Sequence, residues 1–427
     1  MNERRPGLSR RALLGGAGVG VLAAGGGLGY AARSTTAEGA SATADPAALP
    51  VDFDGAHQAG ITTPAQDRLH LAVFDVVTTD KAELDAMLQQ WTAAARKMCS
   101  GNDIGDFGSV AGPVEVPPED TGEAQGLPPS ALTLTIGFGP SLFETADGED
   151  RFGLADKRPA ALVELPAFTG DRLRPQVSGG DLVVQACAND PQVAVHAIRN
   201  LVRIGFGVVS IRYSQLGFGR TSSTSKAQAT PRNLFGFKDG TANIKSEDTE
   251  VVDRHVWVGD DADQDWMVGG SYMVNRKIMM RIETWDRESL VGQENIIGRT
   301  KGSGGPMSGG DEMDAPDFDA VGDDGEPAIA LKSHVRLAHP DVNGGAQILR
   351  RGYNFVEGND DLGQLAAGLF FICFQADPAT GFVPIQTSLA GPSNDLMNEY
   401  LTHVGSGVFA CPGGLAPGEH WGQALLA

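Results

Sequence analysis

The feature that most constrains this chain is a run of alternating strand and helix signals in its first half. Residues 68–75 read as a strand, 131–137 alternate apolar and polar side chains as a strand does, and 181–186 and 207–213 read as two more strands. Between them, 81–98 sets Leu84, Met87, Leu88 and Trp91 on one helical face, and 191–202 completes a tidy β-α-β unit. The second half repeats the theme. A strand or hairpin arm is predicted at 271–284, a helix at 287–297, a strand at 369–375, a helix at 396–404 and a last short strand at 407–411. Strands with helices on one face in both halves predict an α+β fold of two ferredoxin-like domains, with antiparallel sheets and peripheral helices. The length of 427 residues accommodates both, at roughly 100–200 residues per domain. The expected boundaries are 43–228 and 229–427. Composition agrees: 41% hydrophobic and 20% charged residues exclude a disordered or coiled-coil chain. The 57 glycines, near twice the usual share, predict many turns and close backbone approaches.

The first 42 residues stand apart. Ser9-Arg10-Arg11 precedes a glycine- and alanine-rich apolar run to Ala32, followed by small polar residues suited to cleavage. Twin arginines before a weakly hydrophobic core are the signature of a Tat signal. So many glycines make a poor membrane-spanning helix, so the segment is expected to be removed, leaving no stable membrane association. The expected location is therefore outside the cytoplasm: periplasmic, cell-envelope or extracellular. Gly18-Val-Gly20-Val-Leu-Ala23 fits a dinucleotide fingerprint in letters only, because no strand precedes it. The net charge of -21 argues against nucleic acid and anionic membranes as partners, and losing the arginine-rich leader makes the remainder more acidic.

Four cysteines, Cys99, Cys187, Cys373 and Cys411, form no CxxC or Cys/His cluster, which argues against zinc or iron–sulfur sites. Cys187 and Cys373 sit in apolar runs and read as buried free thiols; export also permits disulfides. Between 302 and 327 lies a glycine-rich insertion with eight acidic residues from Asp311 to Glu326. It lacks the spacing of a calcium loop and reads as a solvated surface insertion.

Three segments concentrate chemistry. In Gly236-Phe-Lys-Asp239-Gly240 a carboxylate occupies a tight turn, either as a functional group or as an Asx-turn cap of its own backbone. Ser333-His334-Val-Arg336 offers a histidine, with His339-Pro340 five residues on. In Ile348-Leu-Arg350-Arg351-Gly-Tyr353 two arginines follow an apolar strand, a pattern usually found at a solvated edge. A histidine ligand, a carboxylate and an arginine are together what a haem peroxidase needs.

These segments resemble the dye-decolorising peroxidase family. So do Arg281-Ile-Glu-Thr-Trp-Asp286 and Gly298-Arg-Thr-Lys-Gly-Ser303. Gly55-Ala-His-Gln-Ala-Gly-Ile61 and the twin arginines resemble its Tat-exported deferrochelatase/peroxidase branch, and the likeness runs from about Asp52 to the C-terminus. The resemblance implies one haem b per chain, lying mainly in the C-terminal domain. It implies His334 as proximal iron ligand, Asp239 as distal acid/base and Arg350 as distal arginine. Gly240, Thr241 and Ala242 would approach the haem edge, with His339 and Pro340 nearby. The family commonly has Asn-Pro-Arg where this chain has His339-Pro340-Asp341, so a propionate partner is sought among Arg276, Arg281 and Arg299. By type, Glu283 and Asp286 are candidate partners for the His334 ring. The implied activity is reduction of hydrogen peroxide with one-electron oxidation of small organic or protein donors. The alternative is haem or iron handling, with iron release from haem and secondary peroxidase activity.

Overall fold

The computed structural model describes residues 48–390 and 395–427. The twin-arginine segment and its cleavage region therefore lie outside the described residues. Among those described, no helix is long and apolar enough to cross a membrane.

In the first half, β1 (Arg68–Val76), α1 (Lys81–Cys99), β2 (Thr133–Phe138), β3 (Leu182–Ala188), α2 (Pro191–Ile204) and β4 (Val209–Arg220) follow in order. Capping starts both helices. Asp80 accepts from the amide of Ala82 at 2.8 Å, and Asp190 from that of Gln192 at 2.7 Å, with Pro191 supplying a preset first-turn φ. Leu84, Met87, Leu88 and Trp91 of α1 are all buried, as their spacing predicts. The strand order β2-β3-β1-β4, antiparallel throughout, is the ferredoxin-like arrangement.

The second half holds β5 (Ser271–Met280), α3 (Leu290–Ile297), α4 (His334–Leu337), β6 (Leu349–Arg350), β7 (Tyr353–Asn359), β8 (Leu365–Gln375), α5 (Phe382–Ala390) and β9 (Leu401–Cys411). Its sheet order, β9-β5-β8 followed by β6 and β7, repeats the same topology. The two sheets then join. Among the described residues nine strands run β5-β9-β2-β3-β1-β4-β7-β8-β6, and β5 also pairs with β8, closing a ring. At the β2–β9 seam the ladder is a single pair, Phe138 with Ala410. Gln58 reinforces it, donating to the carbonyls of Ile136 and Pro412 at 3.0 Å and accepting from the amide of Ile136 at 2.9 Å.

Alternation separates the cores. Leu69, Leu71 and Val73 of β1 pack with Cys187, Tyr353, Phe370 and Phe374 inside the ring, while Ala72 and Phe74 face α1 and α2. A third cluster, with Phe235, Phe237, Trp285 and Tyr400, lies on the outer side of the second sheet. All four cysteines are buried and free.

Three expectations need correction. The helix predicted at 396–404 is a short 3-10 turn, Leu396–Glu399, that runs into β9; the helix lies earlier, at α5. Leu396, Met397, Leu401 and Val404 imitate a helical period, and Gly405 and Gly407 interrupt the strand alternation of β9. The strand expected over 271–284 stops at Met280, where Ile282–Trp285 turns into one helical turn. The arginine pair is not a solvated edge. Arg351 is 1% exposed and donates to the Thr63 carbonyl and to Gln66.

Candidate active site

The loop between β4 and β5 carries Asp239 in a backbone that glycines make possible. Gly236 and Gly240 have φ of 81° and 86°, and a Cβ on Gly240 would sit 2.8 Å from the Cα of Ser222. Buried Phe235 and Phe237 anchor the preceding turn, and the Trp285 indole donates to the Phe235 carbonyl at 3.1 Å. Asp239 is not a self-capping Asx-turn residue. Its Oδ1 accepts from Arg350 Nη1 at 2.7 Å and its Oδ2 from Asn233 Nδ2 at 3.2 Å. Arg350 reaches it from β6, which pairs with β8 through Cys373. Charge assistance strengthens this contact. It is 16% exposed on the Asp239 side chain and 27% on Arg350, so both groups remain open to a ligand.

His334 begins α4. Its Nδ1 donates to Asp395 Oδ2 at 2.6 Å, while the other oxygen of Asp395 accepts from the Met397 amide at 2.9 Å. The carboxylate, 2% exposed, thus fixes both the ring and the turn before β9. Burial pushes the His334 pKa down, but the charge and hydrogen bond of Asp395 outweigh burial and raise it overall. Asp239 adds to that rise and Arg350 opposes it, so the His334 ring feels both charges. With Nδ1 committed, Nε2 is the nitrogen left for a metal. The partners suggested by type do not serve: Glu283 accepts from the Leu365 amide at 2.8 Å and Asp286 is exposed.

The remaining residues are placed unevenly. Thr241 donates to Glu312 at 3.3 Å, and Ala242 is exposed. His339 and Pro340 open the 3-10 turn after α4, with the His339 ring edge-on to Phe318 at 5.0 Å. Arg276 is committed to Asp171, His403 and Ser406, and Arg299 donates to the carbonyls of Gly304 and Glu312 at 2.8 Å. Arg281 is exposed. The acidic insertion is mostly solvated, except that Glu312 turns inward to pair with Lys238 beside Asp239. Sequence reasoning missed Asp395, Asn233 and Glu312. Only Asn233 left a signal, lying in the same segment as Asp239.

Comparison with known proteins places the chain in a family. Residues 58–219 match the model of the Dyp-type peroxidase N-terminal domain and 230–416 that of the C-terminal domain. The chain is 37% identical over 426 residues to a deferrochelatase of Escherichia coli O157:H7, covering 98% of this chain and 97% of that one. It is 36% identical over 449 residues to a dye-decolorizing peroxidase of Thermobifida fusca, covering 100% and 99%. A crystal structure of a DyP-type peroxidase from Streptomyces coelicolor superposes with a TM-score of 0.80 at 39% identity, covering 89% of this chain and 98% of that chain. Two matched domain models, full-length relatives and a shared architecture converge: the chain belongs to the Dyp-type peroxidase family and is a haem peroxidase of the dye-decolorising type.

Proposed function

We propose that this chain is an exported peroxidase with one haem b per chain, which reduces hydrogen peroxide and draws electrons singly from bulky organic or protein donors. The observation that carries the reading is the 2.7 Å pair of Arg350 and Asp239, in a chain that also holds the His334 ring against a buried carboxylate at 2.6 Å. The residues suit haem. An imidazole steadied by a carboxylate is a normal iron ligand, and the Asp239 and Arg350 side chains keep 16% and 27% of their surface exposed.

When bound, haem supplies the iron centre at which the O–O bond of peroxide is cleaved. His334 would hold that iron through Nε2. Asp239, accepting two hydrogen bonds as a carboxylate, takes the proton from one peroxide oxygen and delivers it to the other. Arg350 holds its guanidinium at the same oxygens and offsets the negative charge that builds as they separate. An arginine held beside a carboxylate is what peroxide cleavage calls for, so peroxide reduction is the reading preferred over iron release, the alternative suggested by the name of the Escherichia coli relative. Export rests on the Arg10-Arg11 leader.

Rapid mixing of haem-loaded Asp239→Ala with peroxide tests the assignment. The second-order rate is expected to fall by about 10²–10⁴-fold. An unchanged rate between about pH 4 and pH 7, where an imidazole base would lose its function, removes Asp239 from proton transfer.

A further inference from the structure

The loop that carries Asp239 is tied to β6 by side chains rather than by a backbone ladder. Asn243, 6% exposed, accepts from the Arg350 amide at 2.7 Å through Oδ1 and donates to the Arg350 carbonyl at 2.9 Å through Nδ2. A residue of an antiparallel strand makes that same pair of bonds. On its other side β6 is paired conventionally, with the Arg351 amide donating to the Ile372 carbonyl at 2.8 Å. The second Nδ2 hydrogen goes to the Ser223 carbonyl at 3.1 Å, so the carboxamide donors are fully used.

A second tie holds the same loop. Lys245, 8% exposed, donates to the Ser223 carbonyl at 2.7 Å, to Ser223 Oγ at 2.6 Å and to the Gly240 carbonyl at 3.3 Å. Gly240 follows Asp239 directly. The backbones bearing Asp239 and Arg350 are therefore linked twice: through the guanidinium–carboxylate contact, and through Asn243. The first link alone sits at the end of a long, rotamer-rich side chain. The second fixes where that side chain starts.

We propose that Asn243 is a positioning residue for peroxide activation: its carboxamide, standing in for a strand, sets the backbone of Arg350 so that the guanidinium meets Asp239 in working geometry. This rests on the assignment of Asp239 and Arg350 proposed above. Asn243 touches neither peroxide nor haem in this account. Its effect passes through Arg350.

A double-mutant cycle on the full-length, haem-loaded protein tests it, comparing the parent, Asn243→Ala, Arg350→Ala and the double variant in their second-order reaction with peroxide. Asn243→Asp runs through the same cycle as a shape-preserving variant. It keeps an acceptor for the Arg350 amide but sets an oxygen against the carbonyls of Arg350 and Ser223. Each Asn243 variant is expected to react about tenfold or more slowly than the parent, since misplacement on the order of 1 Å is that costly. In the Arg350→Ala background the same change is expected to alter the rate less than about twofold. Hydrogen exchange read by mass spectrometry supplies a readout independent of turnover: the peptide bearing the Arg350 amide should lose protection in Asn243→Ala while the rest of the ring keeps it. Asn243 variants that load haem and react within about twofold of the parent overturn the proposal, as do effects that simply multiply in the double variant. If Asn243→Ala fails to fold, Asn243→Asp decides by the same criteria. An unimpaired Asp239→Ala sinks the parent assignment, whereas a crippled Asp239→Ala beside unimpaired Asn243 variants sinks only the positioning role.

Discussion

His334 and Asp395 divide one task. The imidazole offers Nε2, and the carboxylate fixes which nitrogen carries the proton and raises the basicity of the ring. Asp395→Asn keeps the shape and removes the charge, so haem affinity is expected to fall by about 10–100-fold in a titration followed by absorbance. Unchanged affinity would confine Asp395 to capping the Leu396–Glu399 turn. At this scale the sequence was legible where chemistry is local. Asp239 stands out between a tight turn and Gly240, and His334 and Arg350 each sit in a distinctive short segment. Asp395 was not legible because 61 residues and α5 separate it from His334, and no spacing rule spans a tertiary contact. Arg351 misled for a related reason: adjacent arginines on an edge look solvated until the partner loop at Ile61–Thr63 is seen to cover one of them.

Elements of the first half were readable because α1 and α2 are capped and one-faced and β1 is a compact apolar run, buried on both faces from Leu71 to Phe74. Those of the second half were blurred by strands of two residues, as in β6, and by glycines in β9. Ring closure left no local trace, since one seam is a single β2–β9 pair with Gln58 and the other is two β4–β7 pairs, Phe218 with Asn354 and Arg220 with Tyr353. On β9, His403 accepts from Arg276 Nε at 3.2 Å, and burial together with the Arg276 charge pushes its pKa from 6.5 down to about 3. Between those values the unfolded chain takes up a proton that the folded chain refuses. Stability from this group is therefore complete above about pH 6.5 and is lost as pH falls toward 3. Melting temperatures should drop across that window in the parent and less steeply in His403→Gln. Equal slopes would show that the buried ring does not contribute.

The whole molecule places two ferredoxin-like sheets edge to edge, with Arg350 on β6 of the second sheet and α4 with its histidine in the connection that leads to it. The duplication of topology was legible from the order of strands and helices. The shared ring was not, because joining two sheets edge to edge uses ordinary backbone bonds that any strand offers. Asp239 and Arg350 meet across 111 residues of chain, and the proposed function stands or falls on haem being held through His334. Titrating haem into the parent and His334→Ala while recording the optical spectrum tests this most directly. The account predicts a Soret band saturating at one haem per chain in the parent, with sharply lower occupancy and an altered ferric spectrum in the variant. A parent that binds no haem, or a variant with full occupancy and the parent's ferric spectrum, would contradict it.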